Sequence, residues 1–214
     1  MLTLKSESLT FEELERSGDI EKANCVLKNF KNKKTDEEIF YHLCFVVLIP
    51  QAKWSSVREI VEILKEKDFY NKSIKIEELI EIVKKSRFKN RKAKFLIMLK
   101  VMKITGNWNF LLNNLSSDSK SEDKRLVILD LVSGLGMKTA SHFLRNMGIE
   151  DLAIIDTHIV KFLNKKSGPK SKKEYLEMEK EFKNLAKSLD IPVATLDAIV
   201  WKRYSGTEWT VFDY

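Results

Sequence analysis

The run Gly134-Leu135-Gly136-Met137-Lys138 places two glycines two residues apart between two helical patterns. Glycine reaches positive φ without steric cost, so the spacing suits a tight reversal of the chain. A helix that resumes near Lys138 opens with unsatisfied backbone N–H groups, which bind phosphate well. The segment therefore reads as a helix–hairpin–helix that grips a nucleic-acid backbone without reading its sequence. An ordinary αα-hairpin with a glycine turn is the plainer alternative. Lys138 itself is a cation at a helix N-terminus, opposed by the helix dipole. That field, with partial desolvation, favours the neutral amine. A neutral lysine amine attacks carbon electrophiles and forms Schiff bases. The competing reading is a solvated lysine that meets phosphate as a point charge. Eighteen residues on, Asp156 in Ile155-Asp156-Thr157-His158 follows an apolar stretch and precedes a helical pattern. Asp is a favoured N-cap. Near an amine it would also stabilise positive charge developing on a sugar, or help deprotonate the lysine.

Other chemistries lack their residues. His42, His142 and His158 have no ligand spacing with acids or cysteines, so no metal site is expected. Cys25 and Cys44 are the only thiols. Two cannot hold a four-cysteine iron–sulfur cluster or structural zinc. They read as two small buried residues in a reducing compartment.

The charge is placed rather than spread. The chain of 214 residues carries a net +7, and residues 84–94, KKSRFKNRKAK, alone carry seven basic groups and no acid. Arg87, Lys89, Arg91 and Lys92 are its candidate phosphate contacts, and Phe88 among them could stack on a base. A second run, 161–173, holds six lysines and no acid. Either run alone would pass for a solvated face. Together, in a chain of pI near 9.2, they favour a polyanion. No clear basic amphipathic helix supports a membrane surface.

The elements that must position these groups are helices. Seven Gly and three Pro in 214 residues are too few for a turn-rich β fold. At 43% apolar residues the chain can build a core. The pattern predicts an acidic amphipathic helix over 9–30, including Leu9 and Phe30. A nearly all-apolar helix follows, capped by Asp36 and ended by Pro50. Further helices are expected at about 54–67, 74–85, 90–104 and 107–115, the last capped by Asn107. More follow at 122–132, 138–147, after 156, at 172–189 and at 193–204. The polar stretch 116–123 is the best hinge candidate, and only 152–155 looks strand-like. No run is long and apolar enough to span a bilayer. The start lacks a signal-peptide core, so an intracellular protein, cytoplasmic and nucleoid-associated, is expected.

At Gly134-x-Gly136-x-Lys138 with Asp156 downstream, the chain resembles the helix–hairpin–helix DNA glycosylase superfamily. GMKTASHFLRNMG and LAIIDTHI are similar to a narrower group, the archaeal-type 8-oxoguanine DNA glycosylase/AP lyases. LCFVVLIPQAK, RFKNRKAKF and LDAIVW agree with it, so the resemblance covers roughly residues 35–206. It implies an all-α fold of two helical domains with a DNA-binding cleft between them. Residues 1–35 with 120–214 would form the domain that carries hairpin 133–138 and the catalytic residues, and 36–119 the other. It implies that Lys138 is the nucleophile and Asp156 its partner. Gly134, Gly136 and Thr139 would hold phosphate, in this superfamily often with a monovalent cation; no other cofactor is implied. Pro50, Gln51, Phe88, Asp197 and Trp201 match base-pocket positions. The implied partner is double-stranded DNA containing oxidised guanine, and nothing requires a dimer.

One departure stands out. The family commonly has Thr-Gly-Lys after that tryptophan and a lysine at its end. Here Ser205-Gly206-Thr207 leads into a tail with Trp209, Phe212 and Tyr214. Either other groups read the base or the substrate range is broader. A related glycosylase for another damaged base and a non-catalytic hairpin protein that only grips DNA are the alternatives.

Overall fold

The computed structural model describes residues 11–206 and Trp209, so Leu9, Thr207, Phe212 and Tyr214 lie outside the described residues. Among these residues there are helices and no strand. They form two compact units. The terminal unit comprises the residues up to Asn32 and those from Leu144 on; the central unit runs from Lys33 to Phe143.

The central unit contains α3 (Asp36–Leu48), α4 (Trp54–Glu66), α5 (Ile76–Ile82), α6 (Lys89–Ile104), α7 (Asn107–Ser116), α8 (Ser121–Leu131) and the start of α9 (Met137–Asn146). Every residue of α3 from Phe40 to Leu48 is buried, so this helix is its axis. Its cap is Thr35, not Asp36. The Thr35 hydroxyl accepts from Glu38 N–H, and the Glu38 carboxylate accepts from Thr35 N–H at 2.7 Å, a reciprocal capping box. Phe40 meets Tyr41, Phe69, Tyr70 and Trp108, their ring centroids 5.5–6.0 Å apart. The N-cap of α7 is Gly106, and Asn107 is its first helical residue.

Three buried lysines of this unit donate to backbone carbonyls. Lys92 donates to Leu48 C=O at 2.6 Å, and Lys100 to Tyr70 C=O at 2.8 Å. Lys124 donates to Leu115 C=O and Ser117 C=O at 2.8 and 2.7 Å. Each stem is buried; Lys92 and Lys124 meet carbonyls that the ends of α3 and α7 leave without partners, and Lys100 meets one in the turn after α4. Lys124 fastens the polar stretch 116–123, the hinge candidate of the sequence. Only 117–120 lies outside helices, and Lys124 ties that turn to the end of α7. Residues 120–143 consequently cluster with the central unit rather than with the terminal one, a division that differs from the boundary at 119/120 read from the sequence.

The terminal unit contains α1 (Phe11–Arg16), α2 (Asp19–Lys28), a 3₁₀ turn (Asn29–Lys31), the end of α9, α10 (Thr157–Phe162), α11 (Lys172–Ser188) and α12 (Val193–Ser205). The single helix expected over 9–30 is two, because Gly18 at φ 67 breaks it. α2 packs along α12, where Thr195 donates to Asn24 Oδ1 at 2.7 Å and Arg203 donates twice to Asp19 Oδ2. Cys25 is exposed, against the expectation, whereas Cys44 of the central unit is wholly buried; both are free thiols. Burial pushes the Cys44 thiol pKa up.

Candidate active site

In the central unit the hairpin requires glycine at Gly134 but not at Gly136, whose φ is not positive and whose added Cβ would meet nothing within 4 Å. Gly134 has φ 92, and a Cβ there would lie 2.5 Å from Cε2 of Phe95. Phe95 comes from α6, and the Arg91 guanidinium stands 5.3 Å from its ring centroid. The hairpin thus rests on the helix that carries the basic run. Thr139 acts within the turn: its Oγ1 accepts from Gly136 N–H at 2.9 Å and donates to Gly136 C=O at 3.0 Å. The hydroxyl is therefore a turn-former, and the Gly136 N–H is used internally. The free donors at the start of α9 are those of its first turn. Arg125 of α8, wholly buried, donates to Ser141 Oγ of α9 at 3.0 Å and locks the two hairpin helices. Lys138 is exposed in the first turn of α9.

Arg87, Phe88, Lys89 and Arg91 are exposed, and the Arg87 guanidinium lies 5.1 Å from the Phe88 ring centroid. Lys92, expected among the phosphate contacts, is 3% exposed. Its Nζ donates to Leu48 C=O and, at 2.7 Å, to Ser86 Oγ, so its protons are turned inward. Pro50 and Gln51 are exposed just beyond the end of α3, and Gln51 and Phe88 both have left-handed backbones, φ 55 and 61.

In the terminal unit the strand-like segment 152–155 pairs with no other strand. Side chains satisfy its backbone instead. Ala153 N–H donates to Glu179 Oε1 at 3.1 Å, and Ile154 N–H to Asp197 Oδ2 at 2.9 Å. The Tyr175 hydroxyl accepts from Ile155 N–H at 3.2 Å and donates to Ala153 C=O at 2.8 Å. All three side chains are buried. This cradle delivers Asp156 to the start of α10. There Asp156 Oδ1 accepts from His158 N–H at 2.8 Å and Ile159 N–H at 2.9 Å. The capping role is therefore real, and because both bonds fall on Oδ1, Oδ2 is left for a second one.

Asp197, matched in sequence to a base pocket, is 4% exposed and pairs with Arg145 at 3.9 Å. Its place in the structure is between the Ile154 backbone N–H and a buried guanidinium. Burial pushes the Arg145 pKa down, and the charges of Asp197 and Asp156 oppose that shift. Trp201 is half-buried and meets the His158 ring edge-on, 6.4 Å between centroids. The sequence reading missed Phe95, Tyr175, Glu179 and Arg145. Phe95 and Arg145 had a signal, since they lie in the runs RFKNRKAKF and GMKTASHFLRNMG; the spacing of Tyr175 and Glu179 is ordinary helix spacing. Among the described residues no cluster of His, Cys, Asp or Glu could hold a metal, and no helix is long and apolar enough to cross a membrane.

The described residues thus form helices, with Lys138 where the chain leaves the glycine hairpin and Asp156 at the end of a braced segment. The family model described as Ogg-HhH, 8-oxoguanine DNA glycosylase, matches residues 20–191, and the chain belongs to that family. A Sulfolobus acidocaldarius 8-oxoguanine DNA glycosylase/AP lyase is 32% identical over 204 residues, 94% of this chain and 97% of that protein. A Metallosphaera sedula protein of the same name is 45% identical over 93 residues, which span 42% of this chain and only 46% of that relative. The crystal structure of the Methanocaldococcus jannaschii 8-oxoguanine DNA glycosylase has a TM-score of 0.77 and 28% identity, with 92% of each chain covered. The M. jannaschii enzyme in complex with a 15mer DNA containing 8-oxoguanine gives 0.75 and 29%.

Proposed function

We propose that this chain is a bifunctional 8-oxoguanine DNA glycosylase/AP lyase that works on duplex DNA as a monomer. The observation that carries the reading is Lys138, an exposed amine in the first turn of the helix that leaves the glycine hairpin. The damaged base must leave the stack before the enzyme can act on it. The Lys138 amine then attacks C1′ of the extruded nucleotide. The N-glycosidic bond breaks, its electron pair leaves with the base, and the base takes up a proton. The nitrogen lone pair then opens the sugar ring: the C1′–O4′ bond breaks, O4′ takes up a proton, and C1′ is left as an iminium, a Schiff base on Lys138. It acidifies C2′–H; loss of that proton expels the 3′ phosphate, and water releases the amine. Asp156, through the oxygen its capping bonds leave open, supports the cationic sugar and receives a proton from the lysine.

The N–H groups opening α9 and the exposed Arg87, Lys89 and Arg91 hold phosphates. A monovalent cation at the hairpin fits its oxygen-rich turn, because the carbonyls of Ser133, Gly134 and Leu135 accept no hydrogen bond from the described residues. Gln51, Phe88 and Trp201 meet the base, the amide by donating and accepting and the rings by stacking. Such an enzyme works at the chromosome, inside the cell. With Thr207 where the family commonly has a lysine, either other groups read the base or the base preference is broader.

The test is trapping with borohydride. Incubated with duplex DNA bearing one 8-oxoguanine and then reduced, the protein should form a covalent adduct that Lys138→Gln abolishes. No adduct with this lesion or with an abasic site would overturn the lyase assignment. An adduct with the abasic site and with another oxidised base, but not with 8-oxoguanine, would identify the different substrate.

A further inference from the structure

Five non-glycine residues with positive φ occur among the described residues: Gln51, Asp68, Phe88, Asn164 and Asp190. Asp and Asn tolerate this region because their short side chains bond locally. Gln and Phe do not, so something outside their own side chains must hold Gln51 and Phe88 there. Burial of Phe88 is not the cause, since its ring is 53% exposed.

Both residues lie just beyond an acceptor of one ammonium. Leu48, the last residue of α3, stands three residues before Gln51, and its C=O accepts from Lys92 Nζ. Ser86 stands two residues before Phe88, and its Oγ accepts from the same atom. Pro50 has no N–H, and Ala52 N–H goes to Ile49 C=O rather than to Leu48. Ser86 is buried as well. Burial lowers the pKa of Lys92, yet a neutral amine still has two protons for the two acceptors. Lys124 closes the end of α7 in the same way, and Lys100 is likewise turned inward onto a carbonyl of the turn after α4.

We infer that Lys92 is a positioning residue for base recognition: its Nζ clamps the end of α3 to the Ser86 turn and so sets the geometry of Gln51 and Phe88 together. The inference rests on the reading that Gln51 and Phe88 meet the extruded base. It removes Lys92 from the phosphate contacts, although it lies within the basic run.

The experiment compares two substrates and one physical probe. Under single-turnover conditions, Lys92→Met should excise 8-oxoguanine at least about tenfold more slowly, since misplacement of about 1 Å in a binding group costs up to ~100-fold. Cleavage at a preformed abasic site, where there is no base to read, should change by less than about twofold. Hydrogen exchange should lose protection over residues 49–52 and 86–89 together. The salt dependence of DNA affinity should not change, whereas a lost phosphate contact lowers the slope by about 0.9. Ser86→Ala removes one acceptor and keeps the lysine; it should show the same excision defect in weaker form, and Ser86→Thr should restore excision. Ser86→Ala also serves should Lys92→Met fail to fold. Equal losses on both substrates, a reduced salt slope, or exchange unchanged at either turn would overturn the clamp. Absence of excision by the unmodified protein would instead remove the base-reading premise, and the exchange measurement would then decide the clamp alone.

Discussion

Asp197 Oδ2 accepts a hydrogen bond from the backbone N–H of Ile154 at 2.9 Å, two residues before Asp156. The same carboxylate stands 3.9 Å from the buried guanidinium of Arg145. Asp197 therefore braces the segment that presents Asp156 and neutralises a charge that water does not reach. Asp197→Ala should leave the Ile154 N–H and Arg145 without these interactions, and removing one partner of a buried pair costs about 3–5 kcal/mol. Denaturant melts would show this loss. In enzyme assays Asp197→Asn should lower excision and abasic-site cleavage by similar factors, because the brace serves the shared Asp156. A defect confined to excision would return Asp197 to base recognition.

Gly134 and Phe95 define the seat of the hairpin. Gly134→Ala faces two obstacles, a φ of 92 and a ring 2.5 Å from the new carbon. Strain of this kind costs on the order of 1–3 kcal/mol. Phe95→Leu would relieve the contact but not the backbone strain, so the double variant should recover part of the loss. Thermal melts of the four proteins form the double-mutant cycle; strict additivity would show that the ring does not set the glycine requirement.

These residues show what the sequence made legible. The hairpin, Lys138 and Asp156 stand out because their spacing is set by local backbone chemistry: glycine at a reversal, a residue at a helix start, an Asp at a cap. The helices follow for the same reason, since a 3.6-residue apolar period is a local signal. What the sequence concealed depends on partners far along the chain. Lys92 looks like its basic neighbours, and only its bond to a carbonyl 44 residues away separates it from them. Segment 152–155 has the composition of a strand, but its backbone partners are the side chains of Tyr175, Glu179 and Asp197. The polar stretch 116–123 suggests a hinge by composition, while the bonds of Lys124 to Leu115 and Ser117 fasten its turn, a link no local pattern announces.

Exposed members of the basic run should separate cleanly from Lys92 in binding. Replacing Arg87, Lys89 and Arg91 singly with Gln should each reduce the slope of log affinity against log salt by up to about 0.9 per lost phosphate contact. Melting temperatures should move little, because none of the three is buried. Fluorescence anisotropy on undamaged and damaged duplexes would measure the slopes, and the loss should be alike on both, since phosphate contacts do not read the base. A slope unchanged in all three variants would place the DNA contact elsewhere on the chain.

His42 makes acid stability a direct readout of burial in the central unit. Desolvation, aided by the charges of Lys34 and Lys65 and opposed by Glu38, lowers its pKa from the ordinary 6.5 to about 4. In the unfolded chain the imidazole gains its proton first. Its contribution to stability is thus fully present above about pH 6.5 and is lost as the pH falls toward 4. At 1.36 kcal/mol per pH unit the loss is roughly 3 kcal/mol. His42→Gln keeps a polar side chain and removes the titration. Urea melts from pH 7 to 4 should show the unmodified protein losing stability faster than His42→Gln by about that amount, with the difference developing below pH 6.5. Parallel curves for the two proteins would mean that the folded protein accepts the proton as readily as the unfolded chain.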